Sequence, residues 1–213
     1  MPSYVDHRVF ITGNHKKIEQ FAWQHIRWLI KDTDVCNEFD FNTVIPVPEG
    51  ILNIIDGAVT REAIALQERI DKGDVTAATE LKKLNEEHPF AEQQGRLCLK
   101  MRAETGFDSW YSWSNENWGT DRNALNTEIL EVEKDFLELI FQTAWSPPLP
   151  IMEKVAAMWP DLSFEIYSFD GLWGFAGHGI YNAGQNPPYL LFKDSESMEE
   201  INKKVYSESP SEE

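Results

Sequence analysis

The chain has 213 residues, a formal net charge of −17 and an apolar content of 42%. That length fits one large domain or two small ones, and the apolar content is normal for a globular protein with a buried core. The charge argues against direct binding of nucleic acid or of an anionic membrane, because binding to phosphates depends on Lys and Arg. An acidic protein attracts basic protein surfaces instead, so a basic protein is the partner that we expect.

The sequence indicates a cytoplasmic protein. Cys36 and Cys98 do not form a close pair, and we interpret them as reduced thiols. Residues 1–9 form a short polar segment, unlike a signal peptide, and no apolar run approaches the length of a membrane span.

The first part of the chain predicts a strand, a helix and a second strand. Residues 8–12 read as a strand, and Asn14 is suited to cap the helix that follows. Apolar side chains recur at helical spacing along 15–31, so we expect the helix to cover that range. Residues 39–45 then alternate between apolar and polar side chains, and Pro46 ends this second strand.

A long insertion follows, from residue 49 to residue 121. Its helical periodicity covers 59–70, a shorter segment around 77–84, and 91–104. Its last part overlaps an aromatic-rich stretch over 107–123. We therefore interpret the insertion as a helical subdomain and not as a disordered linker.

A second strand-helix-strand unit is centred on residues 142–150. The strand over 137–142 alternates, and Ser146 is predicted to cap the next helix with Pro147 at its first position. Residues 162–167 alternate again as the strand that completes the unit. Further strands are predicted over 125–132 and, with three glycines, over 172–180.

These two units predict a mixed α/β fold of the α+β type. We expect a ferredoxin-like two-layer sandwich, in which an antiparallel sheet carries two packed helices, with a helical insertion added. The predicted domains are a discontinuous ferredoxin-like domain of 1–48 and 122–185, the insertion 49–121 ending in a Trp-rich corner, and an acidic C-terminal tail, 186–213.

Four segments together carry a resemblance to a known family. They are 39–46 (FDFNTVIP), 117–124 (NWGTDRNA), 141–148 (FQTAWSPP) and 173–177 (WGFAG). In these the chain resembles the YubB-like family of plasmid- and phage-borne proteins with a ferredoxin-like domain. The resemblance implies a small cytosolic protein of a mobile genetic element, and it assigns no activity to the chain.

The Trp-rich corner is the predicted binding site. Aromatic walls with a few amides and a carboxylate are typical of sites for a small polar ligand or a peptide. The alternative is that the same rings pack between the insertion and the sheet. The predicted ligand- or partner-binding residues are Trp110, Trp113, Asn115, Glu116, Trp118, Asn123 and Trp145.

The sequence predicts no catalytic residue, no metal ligand and no cofactor. None of its five histidines has the close spacing of a zinc site. A Gly-x-Ser-x-Gly nucleophile motif is absent, and Cys98 lies inside a helical pattern that favours packing. An enzymatic function is therefore not expected.

Two functions remain as hypotheses. The first is a non-enzymatic acidic interaction protein of a phage or plasmid that modulates a basic host protein, such as a defence or nucleic-acid-handling factor. The alternative is a protein that binds or sequesters a nucleotide or metabolite in the Trp-rich corner. Whether the chain forms a homodimer is left open.

Overall fold

The computed structural model describes residues 3–31, 34–182 and 189–207. The chain divides into two compact units, Met1–Pro46 with Asn115–Glu213 and, between them in sequence, Val47–Ser114. In chain order the described elements are β1 (Tyr4–Gly13), α1 (His15–His25), β2 (Ile26–Lys31), β3 (Asp34–Phe39), α2 (Glu49–Leu52), α3 (Ala58–Asp71), α4 (Ala77–Glu87), α5 (Ala91–Thr105), α6 (Trp110–Trp118), β4 (Leu125–Val132), β5 (Phe136–Ala144), α7 (Leu149–Met158), β6 (Leu162–Asp170), β7 (Ala176–Tyr181), β8 (Leu190–Phe192) and α8 (Ser195–Tyr206).

The first unit is organised around an antiparallel sheet. Among the described residues it has eight strands in the order β2-β3-β4-β5-β1-β6-β7-β8. Its central strands, β4-β5-β1-β6, have α1 after β1 and α7 between β5 and β6, which is the ferredoxin-like arrangement. The predicted α/β fold with an antiparallel sheet is therefore confirmed.

One face of this sheet carries the main core of the unit. The strand register places Val9 between Leu139 of β5 and Ile166 of β6, and all three side chains are buried. Helices α1 and α7 cover this face, with Phe21 of α1 in ring contact with Phe164 of β6. Burial of each such side chain contributes roughly 1.5–3 kcal/mol.

The opposite face is partly covered by α8. Met198, Ile201 and Val205 form a buried cluster with Phe169 and Ala176 of β6 and β7. The predicted acidic tail, 186–213, therefore contains a helix that packs on the sheet. The acidic end, 208–213, lies outside the described residues.

A buried ion pair lies under the end of α8. Arg8 of β1 pairs with Glu138 of β5, and both side chains are buried. Arg8 also donates to the carbonyl oxygens of Lys204 and Ser207 at the end of α8. Its charge therefore compensates both the carboxylate and the carbonyl groups at the helix C-terminus.

The prediction of a helix over 15–31 is correct up to His25 and wrong beyond it. Asn14 caps α1 as predicted, its side-chain oxygen accepting the N–H of Lys16 at 3.1 Å. The helix ends at His25, because Ile26 is already extended, with φ −106° and ψ 110°. Residues 26–31 form β2, in continuous register with β3 from Ile26 opposite Phe39 to Lys31 opposite Asp34.

The predicted strand over 39–45 is also wrong. The strand β3 ends at Phe39, and residues 41–43 form a 3₁₀ turn. Asp40 caps this turn, because its carboxylate accepts the N–H of Asn42 at 3.1 Å. The second strand of the ferredoxin-like core is therefore β4, which follows the insertion.

The segment between β5 and α7 differs from its prediction at Ser146 and at Pro147. Helix α7 begins at Leu149, so Pro147 lies in the preceding turn and not at the first helical position. Ser146 does not cap the helix: its hydroxyl donates to the carbonyl oxygen of Gly119, and Pro148 occupies the cap position without a side-chain bond. The hydroxyl of Thr120 donates to Ala144 O at 2.8 Å. These bonds join the end of α6 to the turn that leads into α7.

The second unit is helical and has a core of its own. Ala63, Leu66, Leu81 and Leu84 of α3 and α4 are buried in one cluster with Ala77 and Ala91. Gly95 of α5 allows close approach to α3, since a Cβ there would lie 3.0 Å from the Cβ of Ala63. The described helices α3, α4 and α5 agree with the three helices predicted for this segment.

Candidate functional site

Two tryptophans of the predicted binding site are buried. Trp113 is 4% exposed and Trp118 is 2% exposed. Trp118 donates its indole N–H to Ile45 O at 2.9 Å and its ring makes an edge contact with Phe41. These rings are therefore not available as open walls for a ligand.

Asn123 holds the turn after β3. Its side-chain oxygen accepts the N–H of Phe41 at 2.8 Å, and its amide donates to the carboxylate of Asp40 at 2.9 Å. Both bonds fix the local backbone, so the amide is engaged in structure.

The other predicted residues are divided among different environments. The boundary between the units falls after Ser114, so Trp110 belongs to the second unit, whereas Asn115 and Glu116 belong to the first. Glu116 is exposed, and Trp110 and Asn115 are partly buried.

Trp145 lies at the end of β5, on the surface of the first unit. It is half-exposed and has a left-handed backbone, with φ 70°, which is unusual for a large side chain. Its N–H donates to Ser3 O at 2.9 Å.

A different surface of the first unit forms an apolar groove of about 570 Å³. We call it the Trp23–Trp28 groove. Helix α1 forms one wall, and strands β2 to β5 provide the rest of the lining. Its lining residues are His15, Ile18, Glu19, Ala22, Trp23, Ile26, Trp28, Asn37, Ile129, Val132 and Leu137.

The groove follows from the topology of the sheet. Helices α1 and α7 pack on the central strands, as two helices do in a ferredoxin-like domain. The β2–β3 hairpin extends the sheet beyond α1. Trp28 and Asn37 lie opposite each other in its register, and both line the groove beside α1. The added strands therefore form a floor next to the helix.

The side chains of this groove are unusually exposed for their size. Trp23 is 86% exposed and Trp28 is 65% exposed, and Val132 of β4 is also exposed. The side-chain oxygen of Asn37 is buried and has no hydrogen-bond partner among the described residues. Contiguous exposed apolar side chains are typical of surfaces that bind another molecule.

The groove was not predicted from the sequence. Trp28 falls within the predicted helix over 15–31, so the sequence does not predict a strand that carries its ring. The signal that could have revealed it is the run of β-branched and aromatic residues in 26–31, which favours a strand.

The buried histidines serve structure. His7 of β1 bonds through Nδ1 to Ser168 Oγ at 2.8 Å and through Nε2 to Thr143 Oγ1 at 2.7 Å. Burial lowers the pKa of His7 from 6.5 to about 3. Burial also lowers the pKa of His25 to about 4, although the charge of Asp40 opposes that shift. Both rings are therefore neutral near pH 7.

Two features are absent from the described part of the chain. No group of three or more His, Cys, Asp and Glu side chains there is arranged to hold a metal ion. None of the described helices has the length and apolar character required to cross a membrane.

Comparison with known proteins supports the ferredoxin-like assignment. Residues 113–207 match a family described as a ferredoxin-like domain in Api92-like protein. The crystal structure of a protein api92 from Yersinia pseudotuberculosis is similar, with a TM-score of 0.47 and 12% identity over 92% of this chain and 99% of that chain. Similarity at that level carries no argument, and the support for the fold comes from the family match alone. No curated protein matches the chain.

The family match bears on the resemblance drawn from the sequence. The ferredoxin-like domain is supported by the match over 113–207. Membership of the YubB-like family and an origin in a phage or plasmid stay predictions.

Proposed function

We propose that this protein is a non-enzymatic, acidic binding protein that holds a basic segment of another protein in the Trp23–Trp28 groove. The observation that carries the proposal is the pair of exposed indoles, 86% and 65%, at a groove of about 570 Å³. Tryptophan is among the residues that most often dominate binding energy at protein interfaces.

The energetics of the groove favour a partner that covers both rings. An indole buries on the order of 200 Å² when it is covered, and apolar burial contributes roughly 25 cal/mol per Å². Since both rings are largely exposed, each gains about 3–4 kcal/mol when a partner covers it completely. After the entropy losses of association, such a contribution supports moderate affinity.

The charge of the chain favours a basic partner. A net charge of −17 attracts positive surfaces over long range and raises association rates at low salt. On the YubB-like resemblance, we propose that the partner is a host protein in the cytoplasm and that the gene belongs to a mobile element. The small-ligand alternative receives no support from Trp113 and Trp118, because both rings are buried.

A library of random peptides tests this proposal and does not require an identified partner protein. The probe is a phage-displayed library of random linear peptides of about twelve residues. The variants are the double substitution Trp23→Ala with Trp28→Ala and, as control, Trp173→Ala, which removes a tryptophan that is 53% exposed and lies outside the groove. Circular dichroism verifies that each variant is folded.

We expect enriched peptides to carry Lys or Arg together with apolar residues. They should bind the wild type and the Trp173→Ala variant alike and lose about tenfold or more in affinity for the double variant. Peptides that bind all three proteins equally, or a library that yields no enrichment, would contradict the proposal.

A further inference from the structure

We propose that the basic segment binds as an added β-strand along the open edge of β2, with alternate side chains in the Trp23–Trp28 groove. This inference rests on the proposed function and specifies its occupant: an extended, positively charged segment of a partner protein. Strand addition to a sheet edge is a common mode of peptide recognition.

The position of β2 leaves one of its sides open. It is the first strand in the described sheet, and no described strand pairs with it on the side away from β3. The N–H of Asp40 donates to His25 O at 2.8 Å, so His25 and Asp40 form a hydrogen-bonded pair. In an antiparallel ladder such pairs alternate with pairs whose backbone groups point outward.

This alternation determines where the backbone groups of Trp28 point. The hydrogen-bonded pairs are His25 with Asp40, Arg27 with Glu38 and, next, Leu29 with Cys36. Trp28 lies between them, so its N–H and C=O point towards the open edge. The N–H of Ile26 is occupied by Ala22 O. The accessible part of the edge therefore begins at Trp28.

Trp28 thus connects the edge to the groove. Its backbone groups are available to an added strand, and its ring lies in the groove lining and is 65% exposed. A strand paired with Trp28 would project every second side chain towards the groove and the others towards the opposite face. One residue therefore provides both the hydrogen bonds and the apolar contact.

The two edges of the described sheet differ in their suitability for strand addition. Natural proteins protect edges with short strands, bulges, proline or charge. At the other edge, β8 has only three residues. In contrast, β2 has six residues without proline and no bulge in its pairing with β3. The charge of Arg27 is paired with Asp40 at 2.5 Å.

Charge decides among the occupants that could cover this edge. A second copy of the chain would bring another net charge of −17, and the two copies would repel each other. A helical segment could fill the groove but would leave the backbone groups of Trp28 without partners. A basic extended segment complements the net charge and also reaches Glu19 on the wall formed by α1.

Amide exchange and peptide backbone methylation test the inference. The probe is a peptide selected from the library on the wild-type protein. We expect the Trp28 amide to exchange rapidly in the free protein and about tenfold or more slowly when the peptide is bound. Each test peptide carries one backbone N-methyl group, and the position of this group moves along the peptide by one residue at a time. Methylation at every second position should lower the affinity about tenfold or more, and methylation at the positions between them should not.

The outcomes separate this inference from the proposed function. If groove-dependent peptides tolerate methylation at every position, strand addition is wrong while groove binding stands. If selected peptides ignore the Trp23→Ala and Trp28→Ala substitutions, the proposed function fails. A Trp28 amide that is already protected in the free protein, together with a dimer in sedimentation, would show that a second copy covers the edge and would overturn the inference.

Discussion

His7 illustrates how a polar group is accommodated between the central strands. Thr143 Oγ1 lies 2.7 Å from Ser146 O, which can only accept, so the Thr143 hydroxyl donates there. It must then accept from Nε2–H of His7, and Ser168 donates to Nδ1. This assignment of the tautomer follows from the hydrogen-bond partners. The neutral ring joins three adjacent strands, and its burial disfavours the protonated form.

The first prediction concerns pH. The pKa of His7 is about 3 in the folded protein and 6.5 when the group is unperturbed, so between these values the unfolded chain binds more protons. Stability should therefore fall as the pH is lowered through 6.5, and His7 should contribute about 2 kcal/mol of loss between pH 7 and pH 5.

Urea unfolding of the wild type and of a His7→Gln variant measures this contribution. The variant should be less stable at pH 7, but its free energy of unfolding should fall by about 2 kcal/mol less between pH 7 and pH 5. If the two proteins show the same dependence on pH, the neutral state of His7 is not responsible. Other titrating groups are common to both proteins and cancel in the comparison.

At the scale of elements, the end of α6 is joined to the turn before α7 through Gly119. This residue has φ +79°, a left-handed conformation that favours glycine. A Cβ there would lie 2.8 Å from Pro150 Cδ and 3.0 Å from Pro147 O. The site therefore requires glycine both for its backbone conformation and for the close approach of the neighbouring turn.

The second prediction compares two glycine substitutions in the same unit. Gly119→Ala should lower the free energy of unfolding by about 2 kcal/mol or more, because backbone strain and a steric clash coincide. Gly171→Ala is the control: its nearest contact would be Tyr4 O at 3.7 Å, and its loss should be below about 1 kcal/mol. If thermal or urea unfolding shows equal losses of stability for the two variants, the contact between α6 and the turn is not tight.

Much of the element order could be predicted from local patterns. Asn14 marked the start of α1, and alternation identified the central part of β5 and the strand β6. The end of α1 could not be predicted, because residues 26–31 fit both helical and extended spacing. Pairing with β3 decides in favour of the strand, and such tertiary contacts are not visible in one segment.

The candidate site was missed for the same reason. Aromatic composition identified a cluster of tryptophans, but composition does not tell whether a ring is buried, as Trp118 is, or exposed, as Trp23 is. The groove depends on the β2–β3 hairpin, so an error in one element boundary concealed it. Its detection required the pairing of β2 with β3, which places Trp28 in the groove beside α1.

At the scale of the whole molecule, the insertion leaves the architecture of the first unit intact. The indole of Trp118 donates to Ile45 O at 2.9 Å, so the chain segments that flank the second unit in sequence meet within the first unit. The groove is formed by residues of that unit alone. The proposed binding therefore does not require residues of the second unit.

The net charge of the molecule gives the binding a measurable signature. Long-range attraction between a chain of charge −17 and a basic peptide is screened by salt. The affinity of selected peptides should therefore fall as the salt concentration rises, mainly through a slower association rate.

The most direct test is a titration of a selected basic peptide into the ¹⁵N-labelled protein, followed through the indole N–H signals of its tryptophans. We predict that the signals of Trp23 and Trp28 shift together and saturate with one Kd, while those of the buried Trp113 and Trp118 stay in place. Shifts confined to Trp113 and Trp118, with Trp23 and Trp28 unchanged, would contradict the groove as the binding site.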